Sequence, residues 1–480
     1  RMDYYDFLDI LDRLSNPYET VLRARARRGV TGLVALLALI LIPPLFIPWI
    51  HGNEGVRNYA YVRSFWMDGN LDFRNEFAHF RETGEFTLPL EDNPETRLPG
   101  NALGVGSAIL WSPFFLLGHL IAWATGAPMD GYSPPYVWSV CLGSTFYGIA
   151  GLLLVLRLVS WRLGPYEALF GVCAVWLGSP LVFYMYLHPS MSHACSFFLC
   201  ALTLWEYERW RISPRLYHFY LIGLTVGLAM ATRLENTVFL LFLGAFCLRT
   251  WHLAAWEGTH LHWCWKISGG FLTGLGVLVG FLPQMAAWHT LQGSWFAGPS
   301  SEGAGTLLWY KSPYAFDVLI SGWRGLFVWS PVLFLAAVGF ALLLRRWRLV
   351  DIVYLVMFLL QVWVIGGYSR WWGGASFGQV FFLGFTPAFA LGLAWLFASL
   401  RPGTPRNMFL VCLLGSLLWS AGLGVQYVGG LIPRDGEVSF HQLYRNQIKK
   451  VPWVIREQLE CLLPADRFQR VHLSHREGQE

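Results

Sequence analysis

Residues 29–50 read GVTGLVALLALILIPPLFIPWI, and residues 51–64 continue with HGNEGVRNYAYVRS. The first stretch has no charged residue, and it exceeds the roughly 20 residues that a helix needs to cross the hydrocarbon core of a bilayer. The second stretch is polar and carries both acidic and basic side chains. The junction therefore predicts a membrane-spanning helix followed directly by a polar loop.

The rest of the chain is similarly apolar. Of its 480 residues, 55% are hydrophobic and 14% are charged, whereas average soluble proteins have roughly 25% charged residues. The mean hydropathy is +0.43. So few charges would not cover this much apolar surface in water, and the composition predicts an integral membrane protein.

Charge and cysteine content argue against two other classes. The net charge of +5 is small and scattered, which does not favour nucleic-acid binding. The eight cysteines form no CxxC pair, so neither a zinc site nor a disulfide scaffold is indicated.

Apolar runs recur along the chain and predict an all-α, polytopic transmembrane helical bundle of about eleven to twelve spans. The runs cover residues 29–50, 103–124, 137–159, 165–187, 190–206, 216–231, 236–250, 267–288, 325–344, 349–366, 380–400 and 407–430. Glycine pairs within them, such as Gly223 with Gly227 and Gly276 with Gly280, suit close helix packing.

Basic residues predict the orientation. Four arginines stand just before the first run and place the N-terminus in the cytoplasm: Arg23, Arg25, Arg27 and Arg28. The later basic clusters agree with this only if an odd number of spans precedes Arg157. Either 103–124 is a re-entrant or interfacial hairpin, or the charge rule fails locally. We favour the hairpin, which places the C-terminus outside.

Three regions follow from this topology. Residues 1–28 form a cytoplasmic, amphipathic N-terminal helix, residues 29–430 form the transmembrane domain, and residues 431–480 form an extracytoplasmic tail. Within the second region, 51–102 is the first extracytoplasmic loop. In the first, the stripe Asp3, Asp6, Asp9 and Asp12 is either a solvated helix face or a docking site for a protein partner.

The first loop holds the leading candidates for chemistry. Glu54 comes directly after the first span, and Arg63 follows on the same stretch. A carboxylate there is able to deprotonate an acceptor hydroxyl, and an arginine is able to neutralise a phosphate leaving group. Asp72 and Glu76, four residues apart, form either a second acidic patch for a metal or acceptor, or plain solvated surface.

Further candidates lie in later loops. Arg233 stands beside Glu235 at membrane depth, where an ionisable residue is costly and therefore a functional candidate. The pair either binds a substrate or only closes two helices together. His188 and His193 flank a short outside loop, where either imidazole would donate a hydrogen bond to a substrate or serve in packing.

The chain resembles the GT-C superfamily of multi-spanning glycosyltransferases, whose first outside loop carries an acidic residue, often in an Asp-Gly-x-x-Tyr-Tyr setting. Here the corresponding stretch reads Glu54-Gly55-Val56-Arg57-Asn58-Tyr59-Ala60-Tyr61. The resemblance continues through Asn101, Leu110-Trp111-Ser112-Pro113-Phe114, Arg233, Pro283-Gln284 and Trp371-Trp372-Gly373-Gly374-Ala375-Ser376-Phe377-Gly378.

This resemblance implies transfer of a sugar from a polyprenyl-phosphate carrier to a hydroxyl acceptor. It implies Glu54 as the catalytic base and Arg233 as a ligand of the carrier phosphate, with Arg63, His193 and Arg370 as further substrate-binding residues. Asp72 is a further substrate-binding candidate from its place in the first loop. It also implies a bacterial inner membrane location with the active side periplasmic, and membrane lipids as surroundings. A divalent metal stays open as a cofactor.

The motifs are degenerate at two positions. Glu54 replaces the expected aspartate, and Gln379-Val380-Phe381 follows Gly378 where an arginine is expected. A second hypothesis is therefore a scaffold or accessory subunit with the same fold, held in a larger membrane complex. A transporter for a lipid-linked substrate is third, because inverted repeats typical of transporters are not evident in the sequence.

Overall fold

The computed structural model describes residues 17–255, 260–296, 311–346 and 348–462. The predicted amphipathic helix with its aspartate stripe lies outside the described residues. In the described ranges the chain is helical, and the extended pairing is limited to an isolated bridge between Asp92 and Pro99. The predicted all-α class is therefore confirmed.

The α-helices are numbered in chain order. They are α1 (Pro17–Ile40), α2 (Ile42–Leu45), α3 (Gly52–Arg63), α4 (Arg74–Glu82), α5 (Gly106–Thr125), α6 (Pro134–Arg162), α7 (Pro165–Leu177), α8 (Leu181–Tyr186), α9 (His193–Ile212), α10 (Leu216–Thr232), α11 (Phe239–Ala255), α12 (His260–Gln292), α13 (Ala315–Ile320), α14 (Leu326–Trp329), α15 (Pro331–Leu343), α16 (Leu349–Gly366), α17 (Thr386–Ser399), α18 (Thr404–Val428), α19 (Phe440–Lys449) and α20 (Val451–Leu462). Short 3₁₀ or π turns cover Ser64–Asp68, Leu234–Val238, Leu344–Arg346 and Val380–Phe385.

Among the described residues, seven helical segments are long and apolar enough to cross a membrane. They are Ala24–Leu45, Gly106–Thr125, Pro134–Arg162, Ile267–Gln292, Leu349–Gly366, Val380–Ser399 and Thr404–Val428. Three shorter apolar helices, α7, α10 and α15, lie among them. On the first segment, Leu33, Leu36 and Leu39 are each more than half exposed. Such a leucine-lined outer surface suits lipid rather than water, as expected of an integral membrane protein.

The prediction of a hairpin at 103–124 is wrong. Residues Gly106–Thr125 form one continuous helix of 20 residues with Pro113 inside it. A proline removes a single backbone donor from a helix, and the helix is continuous on both sides of this one. The helix therefore runs through the proline and has the length of a full span.

Helices α10 and α12 approach closely through the predicted glycines. A Cβ on Gly276 would lie 2.3 Å from the carbonyl oxygen of Tyr220, and one on Gly227 would lie 2.4 Å from that of Val277. Since the neighbouring atoms belong to backbone, larger residues at these positions would push the helices apart. Small residues at such an interface let two membrane helices pack backbone to backbone.

The first loop packs as a unit on the bundle through its own apolar cluster around Tyr59, Phe77 and Trp111. Buried polar side chains fix its ends: the Asn101 amide donates to the carbonyl of Arg57 at 2.9 Å. The carboxamide oxygen of Gln284 accepts from the backbone N–H of Val105 at 2.8 Å. Several motif residues of the resemblance thus hold the loop that carries Glu54.

The tail returns to the same end of the bundle. After α18, the Gln426 amide donates to the carbonyl of Leu443 at 3.1 Å, and the Asn446 amide donates to that of Leu431 at 3.1 Å. These bonds tie α19 to the end of α18. The intervening turn thereby presents Arg434 beside His51 at the start of the first loop.

Candidate functional site

Glu54 lies in the first turn of α3, with its side chain 25% exposed. The chain enters this helix through Gly52, whose φ of +65° is a left-handed conformation that glycine adopts without strain. The N-terminus of a helix stabilises a negative charge. The site therefore has a solvent-reachable carboxylate on a rigid element, directly after the first span.

Gly55 brings the 188–192 loop against α3. A Cβ at this position would lie 2.8 Å from Ser190 Oγ, and the same oxygen accepts from the backbone N–H of His51 at 3.1 Å. This close approach places His193 next to Glu54, with 3.7 Å between His193 Nε2 and Glu54 Oε1. The Glu-Gly pair thus has a steric reason: the glycine admits the loop that the glutamate contacts.

Arg233 joins Glu54 from the opposite side. It follows the last residue of α10 in an extended conformation, φ −149° and ψ 122°, which ends the helix. Its Nη1 donates to Glu54 Oε1 at 2.7 Å and to Ser192 Oγ at 3.1 Å, and its Nε donates to Glu235. One guanidinium is therefore held between two carboxylates.

Two groups at this site have unused hydrogen-bonding capacity within the described part of the chain. Glu54 Oε1 accepts from Arg233, while no described contact reaches Glu54 Oε2. His193 is fully buried, and neither of its ring nitrogens has a hydrogen-bond partner. Buried polar atoms are nearly always satisfied in native proteins, so these two nitrogens are exceptions within the described residues.

A second cluster surrounds the entry to α3. Glu85 accepts from the Trp49 indole at 2.9 Å and from the Gly52 N–H at 2.8 Å, and it lies 3.4 Å from His51 Nδ1. Burial opposes ionisation of this carboxyl, but the hydrogen bonds from His51, Gly52 and Trp49 lower its pKa to about 2. The Glu85 carboxylate is therefore ionised next to His51.

His188 and Arg434 complete this cluster. The rings of His51 and His188 lie 4.4 Å apart, and Arg434 Nη1 lies 3.3 Å from His51 Nε2. Burial, reinforced by His51 and Arg434, lowers the pKa of His188 to about 3, so this imidazole is neutral. The exposed Arg434 has no carboxylate partner among the described residues.

The loop at 371–378 packs against Tyr184, next to His193. Tyr184, whose ring lies 4.1 Å from that of His193, accepts from the backbone N–H of Phe377 at 2.8 Å. Arg324, 1% exposed, donates to the carbonyls of Gly374 and Arg434. Burial lowers the pKa of this guanidinium. Through its two hydrogen bonds, Arg324 joins the 371–378 loop to the tail.

The structure brings together Glu54, His193 and Arg233 from the predicted set and places the other residues elsewhere. Arg63 is bound to Asp68 and, at 2.9 Å, to Glu76, two turns or more along α3 from Glu54. Asp72 accepts from Arg74 at 2.6 Å on the loop surface. Arg370 lies exposed at the end of the turn after α16, and no described contact joins it to Glu54.

A shared metal site for Asp72 and Glu76 does not form. Glu76 is fully buried against Arg63, whereas Asp72 is on the surface. Within the described ranges, no group of three His, Cys, Asp or Glu side chains has metal-binding geometry.

Sequence reasoning missed Glu85, Arg434 and Arg324. Glu85 and Arg434 come from positions far from Glu54 in the chain and carry no motif around them. The one available signal was Arg324, a charged residue inside the apolar stretch GWRGLFVW. An ionisable residue in such surroundings is a functional candidate by the argument already used for Arg233.

Comparison with known proteins identifies the fold. No protein-family model and no curated protein sequence matches the chain. The structure is similar to the crystal structure of ArnT from Cupriavidus metallidurans bound to undecaprenyl phosphate, with a TM-score of 0.51 over 91% of this chain and 71% of that one, at 14% identity. ArnT is a GT-C glycosyltransferase. This chain has a GT-C fold.

The predicted resemblance to the GT-C superfamily is thereby confirmed at the level of the fold. The apo structure of ArnT from the same organism is also similar, with 13% identity and a TM-score of 0.48 over 89% of this chain and 74% of that one. In this GT-C fold, the contacts of Glu54 and Arg233 are the basis for assigning a function.

Proposed function

We propose that this protein is a membrane glycosyltransferase that moves a sugar from a polyprenyl-phosphate carrier to a hydroxyl acceptor. The observation that carries the proposal is the partly exposed Glu54 carboxylate, fixed by Arg233 and facing an unsatisfied, buried His193. The GT-C fold supports the reaction class. The undecaprenyl phosphate bound to ArnT supports a lipid-linked donor.

Glu54 is the general base in this proposal. Its Oε2 takes the proton of the acceptor hydroxyl as the acceptor oxygen bonds to the anomeric carbon of the sugar. The bond between that carbon and the phosphate oxygen breaks, and the carrier phosphate leaves with the electron pair. A positioned base contributes about 100- to 10,000-fold to such a step.

Arg233 positions the base. Two carboxylates already pair with its guanidinium through Nη1 and Nε, so its charge is already neutralised within the protein. With Nε bound to Glu235 and Nη1 shared between Ser192 and Glu54, the guanidinium instead fixes Glu54 Oε1 and leaves Oε2 for the acceptor. We therefore assign Arg233 an orienting role rather than the phosphate contact that the resemblance implies.

We assign binding of the carrier phosphate to Arg434 and His51. Arg434 is an exposed cation with no carboxylate partner among the described residues, and His51 lies three residues before Glu54 on the same side. Hydrogen bonds from charged donors to phosphate oxygens are short and strong. His193, with both nitrogens unsatisfied, is placed to bond a sugar hydroxyl.

In this proposal the N-terminus is cytoplasmic, as the basic residues before the first span favour, and the Glu54 end is on the periplasmic side of a bacterial inner membrane. Because Glu54 Oε2 and both ring nitrogens of His193 have no hydrogen-bond partner among the described residues, the scaffold alternative is less well supported. A protein partner at the N-terminal aspartate stripe is compatible with either function.

A donor comparison tests the proposal. The full-length protein in proteoliposomes is incubated with synthetic undecaprenyl-phosphate hexoses or with UDP-hexoses, and membrane extract supplies the acceptor. We expect release of undecaprenyl phosphate that depends on acceptor and protein. Transfer from nucleotide sugars only, or no transfer from any lipid donor, would contradict the proposal.

A further inference from the structure

At the other end of the bundle, a cavity of about 330 Å³ opens between four helices. Its walls come from α1, α6, the start of α7, and α9. The Ala24–Leu45 span separates it from the Glu54 loop, and at 1.5 Å per helical residue the two lie roughly 25 Å apart. The cavity is therefore independent of the candidate active site.

Among the described residues, the charged lining of this cavity is entirely basic. Arg27, Arg28 and Arg157 line it, and no described acidic residue does. Arg27 Nη2 donates to the carbonyl of Ser160 at 3.2 Å, which ties α1 to α6. Arg28 and Arg157 are exposed, and neither has a carboxylate partner among the described residues. The cavity therefore concentrates positive charge that its own walls do not neutralise.

The remaining walls are apolar and aromatic. Val30 and Leu156 line the deeper side. Trp161 and Trp205 stack with ring centroids 4.4 Å apart, and the Arg157 guanidinium lies over the Trp205 ring at 5.9 Å. Tryptophans of this kind are typical of the boundary between lipid chains and water. A ligand that fits these walls has an anionic head and an apolar body.

We propose that this cavity binds the phosphate headgroup of an anionic phospholipid, with the glycerol and upper acyl chain against Val30 and Leu156. Basic pockets between transmembrane helices are a known mode of headgroup recognition. A free phosphate would use the arginines but not the apolar wall, so the wall favours the lipid. The arginines of α1 are predicted to face the cytoplasm, so the lipid belongs to the inner leaflet.

Native mass spectrometry of the full-length protein tests this site. The protein is exposed to equimolar phosphatidylglycerol and phosphatidylcholine in detergent, and retained lipid is counted. We expect wild type to prefer phosphatidylglycerol and the double variant R28Q/R157Q to lose this preference. Each arginine near a membrane surface contributes about fivefold, so the two together give roughly 25-fold. Arg27 is left in place because its bond to Ser160 supports the helix contact.

The matched control is R345Q/R401Q. Both arginines are exposed, neither lines the cavity, and the double substitution removes the same charge. An equal loss of preference in this control would overturn the proposal in favour of a general basic surface. Displacement of phosphatidylglycerol by millimolar inorganic phosphate would indicate a free-anion site instead. Binding that appears only after deletion of residues 1–16 would assign the arginines to that acidic segment and likewise overturn it.

Discussion

At the scale of single residues, the contacts of Arg233 determine which oxygen of Glu54 is able to react. Oε1 is held by the guanidinium at 2.7 Å, and Oε2 is left for a substrate. Glu235 binds Nε of the same guanidinium, and Ser192 shares Nη1 with Glu54. The arrangement is a rigid fork, and its value lies in geometry as much as in charge.

Replacing Arg233 with lysine separates an orienting role from a phosphate-binding role. A single ammonium does not reproduce the fork to both carboxylates, so we expect kcat to fall about ten- to a hundredfold through misplacement of Glu54. The dissociation constant for undecaprenyl phosphate should stay nearly unchanged. Ser192→Ala, which removes one bond to the same guanidinium, should lower kcat less. A large rise in the dissociation constant of the lysine variant would favour the phosphate contact.

Arg434 is the residue that we expect to bind the carrier phosphate. Arg434→Gln should weaken binding of undecaprenyl phosphate by about tenfold, the loss expected for one charge-assisted hydrogen bond. Arg445, exposed on α19, gives the control Arg445→Gln, which removes the same charge from the same tail. Binding measured by thermal shift in detergent would distinguish them. Equal effects, or none, would remove Arg434 from the site.

At the scale of elements, α10 and α12 depend on glycine for their contact. A Cβ on Gly276 meets backbone at 2.3 Å, while one on Gly274, two residues away on the same helix, meets nothing within 4 Å. Overpacking of this kind costs about 1–3 kcal/mol. Gly276→Ala should therefore lower the thermal midpoint in detergent, and Gly274→Ala should leave it unchanged or raise it. A similar drop for both would mean that helix flexibility, and not the contact, sets the stability.

The first loop contains an ionisable group that makes its stability depend on pH. Burial raises the pKa of Glu76 to about 7, although the hydrogen bond from Arg63 lowers it in part. Its ordinary value is near 4.5, so between these values the folded loop holds a proton that the unfolded chain has released. Stability from this group is full below pH 4.5 and is lost as the pH rises to about 7.

Glu76→Gln should remove this dependence. Between pH 5 and pH 8, the free energy of unfolding of wild type should fall relative to that of the variant by up to about 3 kcal/mol. The thermal midpoint of wild type should fall with it. Glu82→Gln, an exposed position on the same helix α4, should behave like wild type. A wild-type midpoint that rises with pH relative to Glu76→Gln would show that the pKa is shifted in the opposite direction.

At the scale of the whole molecule, hydropathy predicted the helical membrane fold because apolar runs of about 20 residues have few other outcomes. The glycine pairs of α10 and α12 were also predictable, since residues four apart lie on one face of a helix. The continuity of α5 was not, because the charge pattern reports the side of a loop and not the path between loops.

The site was predictable in part. Glu54 and Arg233 stand out because charged residues are costly beside or within membrane spans. Their direct contact, and the addition of Arg434 and Glu85, depend on tertiary packing between segments that are far apart in the chain. Arg63 and Asp72 were predicted as site residues because they are charged and lie in the first loop. In the structure, Arg63 instead binds Glu76, and Asp72 binds Arg74. The role of each side chain is thus set by the fold.

The most direct test of the central claim compares Glu54→Gln with Glu235→Gln in the transfer assay. Both substitutions remove one carboxylate from Arg233, and they change the net charge equally. We expect Glu54→Gln to lower turnover by about 100- to 10,000-fold, the value of a general base, while undecaprenyl phosphate still binds. Glu235→Gln should keep most of the turnover. Full activity in Glu54→Gln, or equal losses in the two variants, would contradict the assignment of Glu54 as the catalytic base.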